Sequence, residues 1–287
     1  MWNSTGITFA NDTIACSLPN NIFIDVTNAI YVSSQNLDLV QIWSGGNSIP
    51  RRNLSGYLNN ASGLFVTANG EIYVGNGTNG RVVKWGLNTT NSTLVMNAPS
   101  SCVSLFVDIN NILYCSMESG HKIVKNFLDN NNTNTSLQMA GNGIPGSSPN
   151  MLHSPKGIFV STSFQLYVAD CGNNRIQLFQ FGNTNATTVA GNGSSGSTIL
   201  NCPTGIILDA DGYLFIADGN NHRIIGSGPD GFGCVVGCST SAGSGSDQLN
   251  YPQNLAFDSL GNLFVVAKNN SRIQQFLLAT RSCSKYS

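Results

Sequence analysis

The chemistry that recurs most often in this sequence is the attachment of N-linked glycans. Asn-x-Ser/Thr sequons without proline occur twelve times in 287 residues, mostly where loops are predicted. One sequon arises by chance in a chain rich in Asn, Ser and Thr, but this density indicates a glycosylated surface. Incidental matches in an Asn-rich chain are the alternative interpretation. The candidate acceptors are Asn3, Asn11, Asn53, Asn60, Asn76, Asn88, Asn91, Asn131, Asn134, Asn185, Asn192 and Asn269.

Eight cysteines carry the second chemistry, and in a chain of this composition they suggest disulfide bonds and an oxidising compartment. A zinc site is the alternative. Zinc thiolate sites usually need two close cysteine pairs, or one such pair with two histidines. The only short spacing joins Cys234 to Cys238, and no second pair lies near it in the sequence. Disulfides are therefore favoured, and no metal is expected.

Charged residues are scarce. Asp, Glu, Lys and Arg make up 9% of the chain and the formal net charge is −1, whereas about 25% of residues are charged in an ordinary globular domain. Thirteen basic residues balanced by fourteen acidic ones argue against nucleic acid as a partner. No apolar stretch approaches the ~20 residues of a membrane span, and the first residues lack signal-peptide features. We expect a secreted protein whose signal peptide is not in this chain.

Six segments of similar pattern follow one another. Each has an apolar strand, a two-residue turn, a second apolar strand, a polar Asn-rich loop and a third strand, with a weaker fourth strand in most. A period in the forties with several short strands per unit is typical of β-propeller blades. The second strands begin 42, 41, 53, 48 and 49 residues apart, at Ile30, Ile72, Leu113, Leu166, Leu214 and Leu263.

Turn chemistry agrees with this interpretation. Asn69-Gly70, Asp211-Gly212 and Gly261-Asn262 place residues that tolerate positive φ between strands, as tight hairpins require. No segment has a sustained period of 3.6 residues, so helix content should be negligible. We predict an all-β fold, in which residues 1–287 form a single six-bladed propeller of four-stranded antiparallel blades. The blades are expected at approximately 20–56, 57–100, 101–145, 150–193, 200–240 and 250–287, with an additional strand at 5–10.

Two stretches resemble the NHL repeat nearly throughout. They are GIFVSTSFQLYVADCGNNRIQLFQFG from Gly157 and GIILDADGYLFIADGNNHRII from Gly205, and Asn221-His222-Arg223 falls where that family takes its name. The sixth segment, YPQNLAFDSLGNLFVVAKNNSRIQQF, is clear, while the first three are degenerate. The resemblance covers almost the whole chain. It implies a closed ring of six blades, usually a scaffold for binding.

Ring closure and disulfide pairing follow from the strand order. The sixth segment lacks an outer strand and GITFAN at Gly6 precedes the first blade, so we expect the N-terminal strand to complete the last blade. One cysteine pair would span a hairpin, one would join two loops on the same face, and one would be local to an outer strand. The last would join the two ends of the ring. The expected pairs are Cys102–Cys115, Cys171–Cys202, Cys234–Cys238 and Cys16–Cys283.

Some six-bladed relatives are enzymes that hold a metal ion in the channel. NHL-like amidating lyases hold zinc with histidines that converge on the channel, and lactonase-like propellers bind calcium through carboxylates. Here His121, His153 and His222 are expected to lie apart, in loop or capping roles. Carboxylates at the ends of first strands are expected to bind their own hairpin backbone rather than calcium. These are Asp25, Asp108, Asp209 and Asp258.

Two further sets recur with the repeat. Asp170 and Asp218 are expected to brace the Asn-Asn-Arg and Asn-His-Arg segments that follow them. The arginines that begin third strands are expected to pack across blades, and they are Arg81, Arg175, Arg223 and Arg272.

The sequence has no motif of a common catalytic site. It contains no G-x-S-x-G motif, Walker loop or nucleophile–base pair.

The sequence therefore predicts a non-catalytic extracellular module without a cofactor. It would present loops or outer strands to protein or glycan partners, including copies of itself in a matrix or filament. The hairpin turns between first and second strands carry no sequon, and they are the candidate contact patches on one face. The alternative function is a lyase or hydrolase with a metal ion in the channel.

Overall fold

The chain forms six four-stranded antiparallel sheets arranged as the blades of a β-propeller. The computed structural model describes residues 2–12, 17–44, 46–47, 49–56, 58–77, 80–87, 89–130, 136–195 and 198–279. The first strand, β1 (Ile7–Asn11), belongs to the last sheet. From the channel outward, blade 1 contains β2 (Pro19–Ile24), β3 (Ile30–Ser34), β4 (Leu39–Trp43) and β5 (Arg52–Leu54).

The next four blades repeat the same up-and-down order. Blade 2 contains β6 (Ala61–Val66), β7 (Ile72–Asn76), β8 (Arg81–Trp85) and β9 (Thr93–Asn97). Blade 3 contains β10 (Ser104–Val107), β11 (Ile112–Met117), β12 (Lys122–Phe127) and β13 (Leu137–Ala140). Blade 4 contains β14 (Pro155–Val160), β15 (Leu166–Asp170), β16 (Arg175–Phe179) and β17 (Ala186–Gly191). Blade 5 contains β18 (Pro203–Leu208), β19 (Leu214–Asp218), β20 (Arg223–Gly228) and β21 (Gly231–Val236).

Blade 6 is built from both ends of the chain. Its inner strands are β22 (Pro252–Phe257), β23 (Leu263–Ala267) and β24 (Arg272–Phe276), and β1 pairs antiparallel with β24 as the outer strand. Within the described ranges, helices are limited to single 3-10 turns, and none is long and apolar enough to span a membrane. These turns are Leu128–Asn130, Cys171–Asn173, Gly219–Asn221 and Lys268–Asn270.

Packing between blades explains why the second strands are almost continuously apolar. Residues of β3, β7, β19 and β23 are buried on both faces, because each sheet lies between two neighbouring sheets. Among the described residues, six clusters of buried side chains fill the six spaces between adjacent blades. The largest contributors include Trp43 and Trp85, which are both fully buried.

The hairpin turns are one residue longer than the sequence analysis predicted. In blade 1 the N–H of Asp25 donates to the carbonyl of Ala29, so three residues, rather than two, separate the strands. The last of the three has positive φ: it is Asn28 in blade 1 and Gly70, Gly212 or Gly261 in other blades. This is the three-residue hairpin in which a type I turn precedes a left-handed residue. The glycines therefore supply the required φ, but in a different turn type.

The predicted closure of the ring by the N-terminal strand is confirmed. Phe9 of β1 packs between Trp43 of blade 1 and Phe264 of blade 6, with ring centroids 5.8 and 5.7 Å away. Trp2 extends the contact, because its indole N–H donates to the Gly261 carbonyl at 2.8 Å and its ring stacks on Phe257. β1 covers the polar edge of β24, Phe9 fills the apolar space between the first and last blades, and Trp2 packs between blades 5 and 6.

Removal of residues 2–11 should lower the melting temperature by more than about 10 °C, because it exposes a strand edge and part of the core. Trp2→Ala alone should cost about 2–4 kcal/mol of unfolding free energy. Thermal melts followed by circular dichroism measure both effects. Ile7→Ser is the matched control, since this side chain of β1 is exposed and its loss should change stability little. A truncated protein that melts like the full chain would contradict the closure.

Candidate functional site

Three of the four predicted disulfides are present. Cys102–Cys115 spans the first hairpin of blade 3, with Cα atoms 5.2 Å apart. Cys171–Cys202 joins the loop after β15 to the start of blade 5, with Cα atoms 3.9 Å apart. Cys234–Cys238 closes a short loop at the end of β21. The fourth pair, Cys16–Cys283, lies outside the described residues.

The structure gives the candidate glycan acceptors different surroundings. Asn11 and Asn60 are half-buried, and Asn88, Asn131 and Asn134 lie outside the described residues. Asn76 is only 5% exposed, and its Oδ1 accepts a hydrogen bond from the N–H of Asn59 at 2.6 Å. The sequon asparagines whose side chains are exposed are Asn3, Asn53, Asn91, Asn185, Asn192 and Asn269.

The carboxylates at the ends of first strands bind backbone, as the turn chemistry predicted. Oδ1 of Asp258 accepts the N–H groups of Leu260 and Asn262 at 3.0 and 2.8 Å. Equivalent pairs of contacts are made by Asp25, Asp108 and Asp209. Each carboxylate thus satisfies one N–H group within its three-residue turn and one of the residue that follows the turn.

Asp25 shows the electrostatic result of this arrangement. Burial alone would raise the pKa of its carboxyl, but hydrogen bonds from Thr27, Ala29 and Tyr31 outweigh burial and leave the pKa below its ordinary value. Burial and the neighbouring Asp25 carboxylate in turn raise the pKa of Tyr31. Asp25 is therefore an anion held by the hairpin, with its oxygens directed to protein donors.

Two of the three histidines hold loops through their side chains, and His121 and His153 lie closer together than expected from the sequence. The rings of His121 and His153 have centroids 5.6 Å apart. Nδ1 of His121 accepts the N–H of Ser154 at 3.1 Å, and Nδ1 of His222 accepts the N–H of Tyr251 at 3.1 Å. Each of these nitrogens is used to fix the loop that enters the next blade. Among the described residues, no group of three His, Cys, Asp or Glu side chains is placed to hold a metal ion.

Asp170 and Asp218 brace the segments that follow them. Oδ2 of Asp218 accepts from Asn221 and from Nε of Arg223, both at 2.9 Å, while Oδ1 accepts the N–H of Asn201 at 2.7 Å. Asp170 makes the same three kinds of contact. The guanidinium of Arg223 also donates to the carbonyl of Ile199, so the network ties the loop before each blade to that blade's third strand.

The remaining arginines at this repeat position differ. Arg175 and Arg272 donate to carbonyls of the loops that precede their own blades, as Arg223 does. Arg81 is exposed at the start of β8. The expectation that all four pack across blades is therefore replaced by a more specific role for Arg175, Arg223 and Arg272, which bind carbonyls of the loop that joins one blade to the next.

The central channel is lined by the inner strands of all six blades. Four phenylalanines at the same position of β2, β6, β10 and β14 form an arc, in which successive ring centroids are 5.1, 4.8 and 5.2 Å apart. These are Phe23, Phe65, Phe106 and Phe159. The cavity measures about 280 Å³, and none of the described residues that line it is ionisable. The part of the channel wall that the structure describes is therefore mainly apolar and offers no acid or base.

One end of the channel opens into a polar cavity of about 450 Å³, which we call the channel mouth. Its lining comes from the starts of inner strands and from the loops after second strands. It includes Glu118, Lys156 and Lys268, which the sequence analysis did not select. Because these three residues belong to blades 3, 4 and 6, no local motif connects them. The sequence does contain one signal for these residues. Each is charged at a position of the repeat where most other blades have a neutral residue, in a chain of which only 9% is charged.

Comparison with known proteins supports the fold. No protein-family model matches the sequence, and no curated protein matches it. Among solved structures, a protein of unknown function from Bacteroides thetaiotaomicron VPI-5482 is 14% identical with a TM-score of 0.77, over 95% of this chain and 75% of that one. The likeness is one of fold alone.

Two further structures with this fold are named for different functions. An auxiliary nutrient binding protein from Bacteroides ovatus ATCC 8483 is 15% identical with a TM-score of 0.71, over 97% of this chain and 73% of its own. Virginiamycin B lyase from Staphylococcus aureus is 12% identical with a TM-score of 0.65, over 94% of this chain and 98% of its own. Because a binding protein and a lyase share this architecture, the function of this chain must be argued from its own side chains.

Asp218→Ala should lower the free energy of unfolding by about 3–5 kcal/mol, because it leaves Arg223 and two further donors without their buried acceptor. Asp211→Ala is the matched control: Asp211 is exposed in a hairpin turn, and its loss should change stability by less than about 0.5 kcal/mol. Urea unfolding followed by tryptophan fluorescence compares the two variants. Equal, small effects would show that the Asp218 network is not a stabilising brace.

Proposed function

We propose that this protein is an extracellular, N-glycosylated β-propeller of NHL type that acts as a binding or structural module and not as an enzyme. The observation that carries the proposal is the combination of three disulfides with six exposed sequon asparagines on the described surface. Disulfides form and persist in oxidising compartments, which are also where N-linked glycans are attached. Its partners are proteins or glycans, including copies of itself.

The arrangement of ionisable groups supports a non-catalytic role. The carboxylates of Asp25, Asp108, Asp209 and Asp258 are occupied by backbone N–H groups. Two histidines use Nδ1 to hold loops. At the channel mouth, the ammonium groups of Lys156 and Lys268 repel a divalent cation. A lyase or hydrolase with a channel metal is the competing function, and stoichiometric zinc or calcium in elemental analysis of the purified protein would establish it.

Peptide mapping of protein secreted from a eukaryotic host tests the proposal directly. We expect glycans at exposed sequons such as Asn91, Asn185 and Asn192. Asn76 should be unoccupied in the secreted protein, because its side chain is only 5% exposed and the folded ring leaves no room for a glycan on its Nδ2. A protein without any mass shift on glycosidase treatment would contradict the glycosylated assignment. The same digest without reductant tests the Cys16–Cys283 pair, which stays a prediction.

Self-association through the hairpin-turn face is a second candidate function. Three apolar side chains in these turns are strongly exposed: Val26 at 84%, Ile109 at 76% and Leu260 at 73%. They belong to the hairpin turns of blades 1, 3 and 6, on a face whose hairpin turns carry no sequon. With a net charge of −1, long-range repulsion between copies is weak. Burial of these exposed apolar groups against a second copy would favour association.

Light scattering coupled to size-exclusion chromatography tests this second candidate on the glycosylated protein. We expect the wild type to elute as an oligomer, and the variant Val26→Ser/Ile109→Ser/Leu260→Ser to elute as a monomer, because the apolar contact is removed. Ile144→Ser/Ile199→Ser is the control, since both side chains are exposed in loops that enter blades 4 and 5, on the opposite face. A wild-type protein that remains monomeric at high concentration would eliminate self-association.

A further inference from the structure

The channel mouth collects polar groups from five of the six blades. Amide side chains come from Asn20 and Gln35 of blade 1 and from Gln253 of blade 6. Ammonium groups come from Lys156 of blade 4 and Lys268 of blade 6. The cavity of about 450 Å³ lies within the size range of small-molecule sites. Amides can donate to and accept from the same hydroxyl-bearing ligand.

The charges at the mouth are not balanced. Lys156 forms an ion pair with Glu118, with Nζ and Oε1 2.9 Å apart. Lys268 has no carboxylate partner among the described residues: its Nζ donates to Oδ1 of Asn20 at 3.2 Å. The mouth therefore carries one excess positive charge. An ammonium has three N–H donors, so two donors of Lys268 are available for an acceptor that the described part of the chain does not supply.

The position of Lys268 is unfavourable for an unpartnered cation. Burial lowers the pKa of its ammonium group, the nearby charge of Lys156 lowers it further, and Glu118 only partly opposes the effect. A half-buried cation beside a second cation destabilises a protein unless an anion binds between them. Ligand-binding sites often contain groups that lower the stability of the unliganded protein.

We propose that the channel mouth binds a small acidic sugar, with its carboxylate on Lys268 and Lys156 and its hydroxyls on the surrounding amides. The excess positive charge selects a monoanion over a neutral sugar. The amides of Asn20, Gln35 and Gln253 select a polyhydroxylated molecule over a simple carboxylate. The same lysines disfavour a divalent cation at this position. The inference rests on the proposed role as a binding module and names the ligand class of that module.

Calorimetric titration with sodium D-glucuronate, D-glucose and sodium acetate tests this assignment. Asn60, a sequon asparagine with positive φ, also lines the mouth, so every titration uses the Asn60→Gly background, which has no glycan there and keeps the backbone conformation. We expect saturable binding of D-glucuronate in the millimolar range or tighter, and much weaker binding of D-glucose and acetate. Lys268→Met should weaken D-glucuronate binding at least about tenfold, because a hydrogen-bonded charge partner is lost. Glu118→Gln should strengthen it, because the local charge becomes more positive.

Two controls separate binding from folding. Lys268→Met should melt at or above the wild-type temperature, because it removes a poorly partnered cation. Lys125→Met removes a lysine from β12, whose ammonium lies over the ring of Phe127, and it should bind D-glucuronate like the wild type.

Three results would overturn the assignment: no saturable binding up to about 20 mM D-glucuronate, equal affinity for D-glucose or acetate, or unchanged affinity in Lys268→Met. If the protein is still glycosylated and disulfide-bonded, each of these results rejects an acidic sugar as the ligand but does not reject the proposed role as a binding module. Absent glycans would instead count against the module itself.

Discussion

Face-to-face packing of neighbouring sheets is the constraint on which the rest of this structure depends. A blade has two apolar faces, and both are covered only when the ring is closed. Closure is made by blade 6, where β1 from the start of the chain pairs with β24 near its end. Phe9 then contacts aromatic residues on both sides of the junction. The channel, its mouth and the loop braces keep their geometry because this junction is filled.

Polar side chains serve mainly to hold backbone in place. Asp258 and its equivalents satisfy hairpin N–H groups, and Asp218 with Arg223 ties the loop entering a blade to that blade. In a chain with 27 charged side chains, from thirteen basic and fourteen acidic residues, these roles use a large share of the charge internally. Hydration of the outside must then depend on amides, hydroxyls and, in our proposal, glycans. The uncompensated Lys268 stands out against this pattern of internally satisfied charge.

The repeat made the fold predictable, because strand alternation and turn residues recur in sequence. Blade number, ring closure and three disulfides could be derived in this way. The predicted hairpin turns were one residue too short. The carboxylate of Asp25 accepts the N–H groups of Thr27 and Ala29, and this pair of contacts fits a three-residue turn. The proximity of His121 and His153 was missed, because it depends on how one blade sits against the next. Glu118, Lys156 and Lys268 were missed for the same reason: their meeting point is defined by the ring and by no stretch of chain.

The use of β1 in the last blade also sets the timing of folding during synthesis. Among the described strands, β1 is made first and finds its partner last, since β24 is made more than 260 residues later. Until blade 6 is made, Phe9 lacks its contact with Phe264 and β1 has no partner strand, so the growing ring keeps one open edge. Loss of β1 or of β24 therefore opens the ring at the same junction, although the two strands lie far apart in the chain.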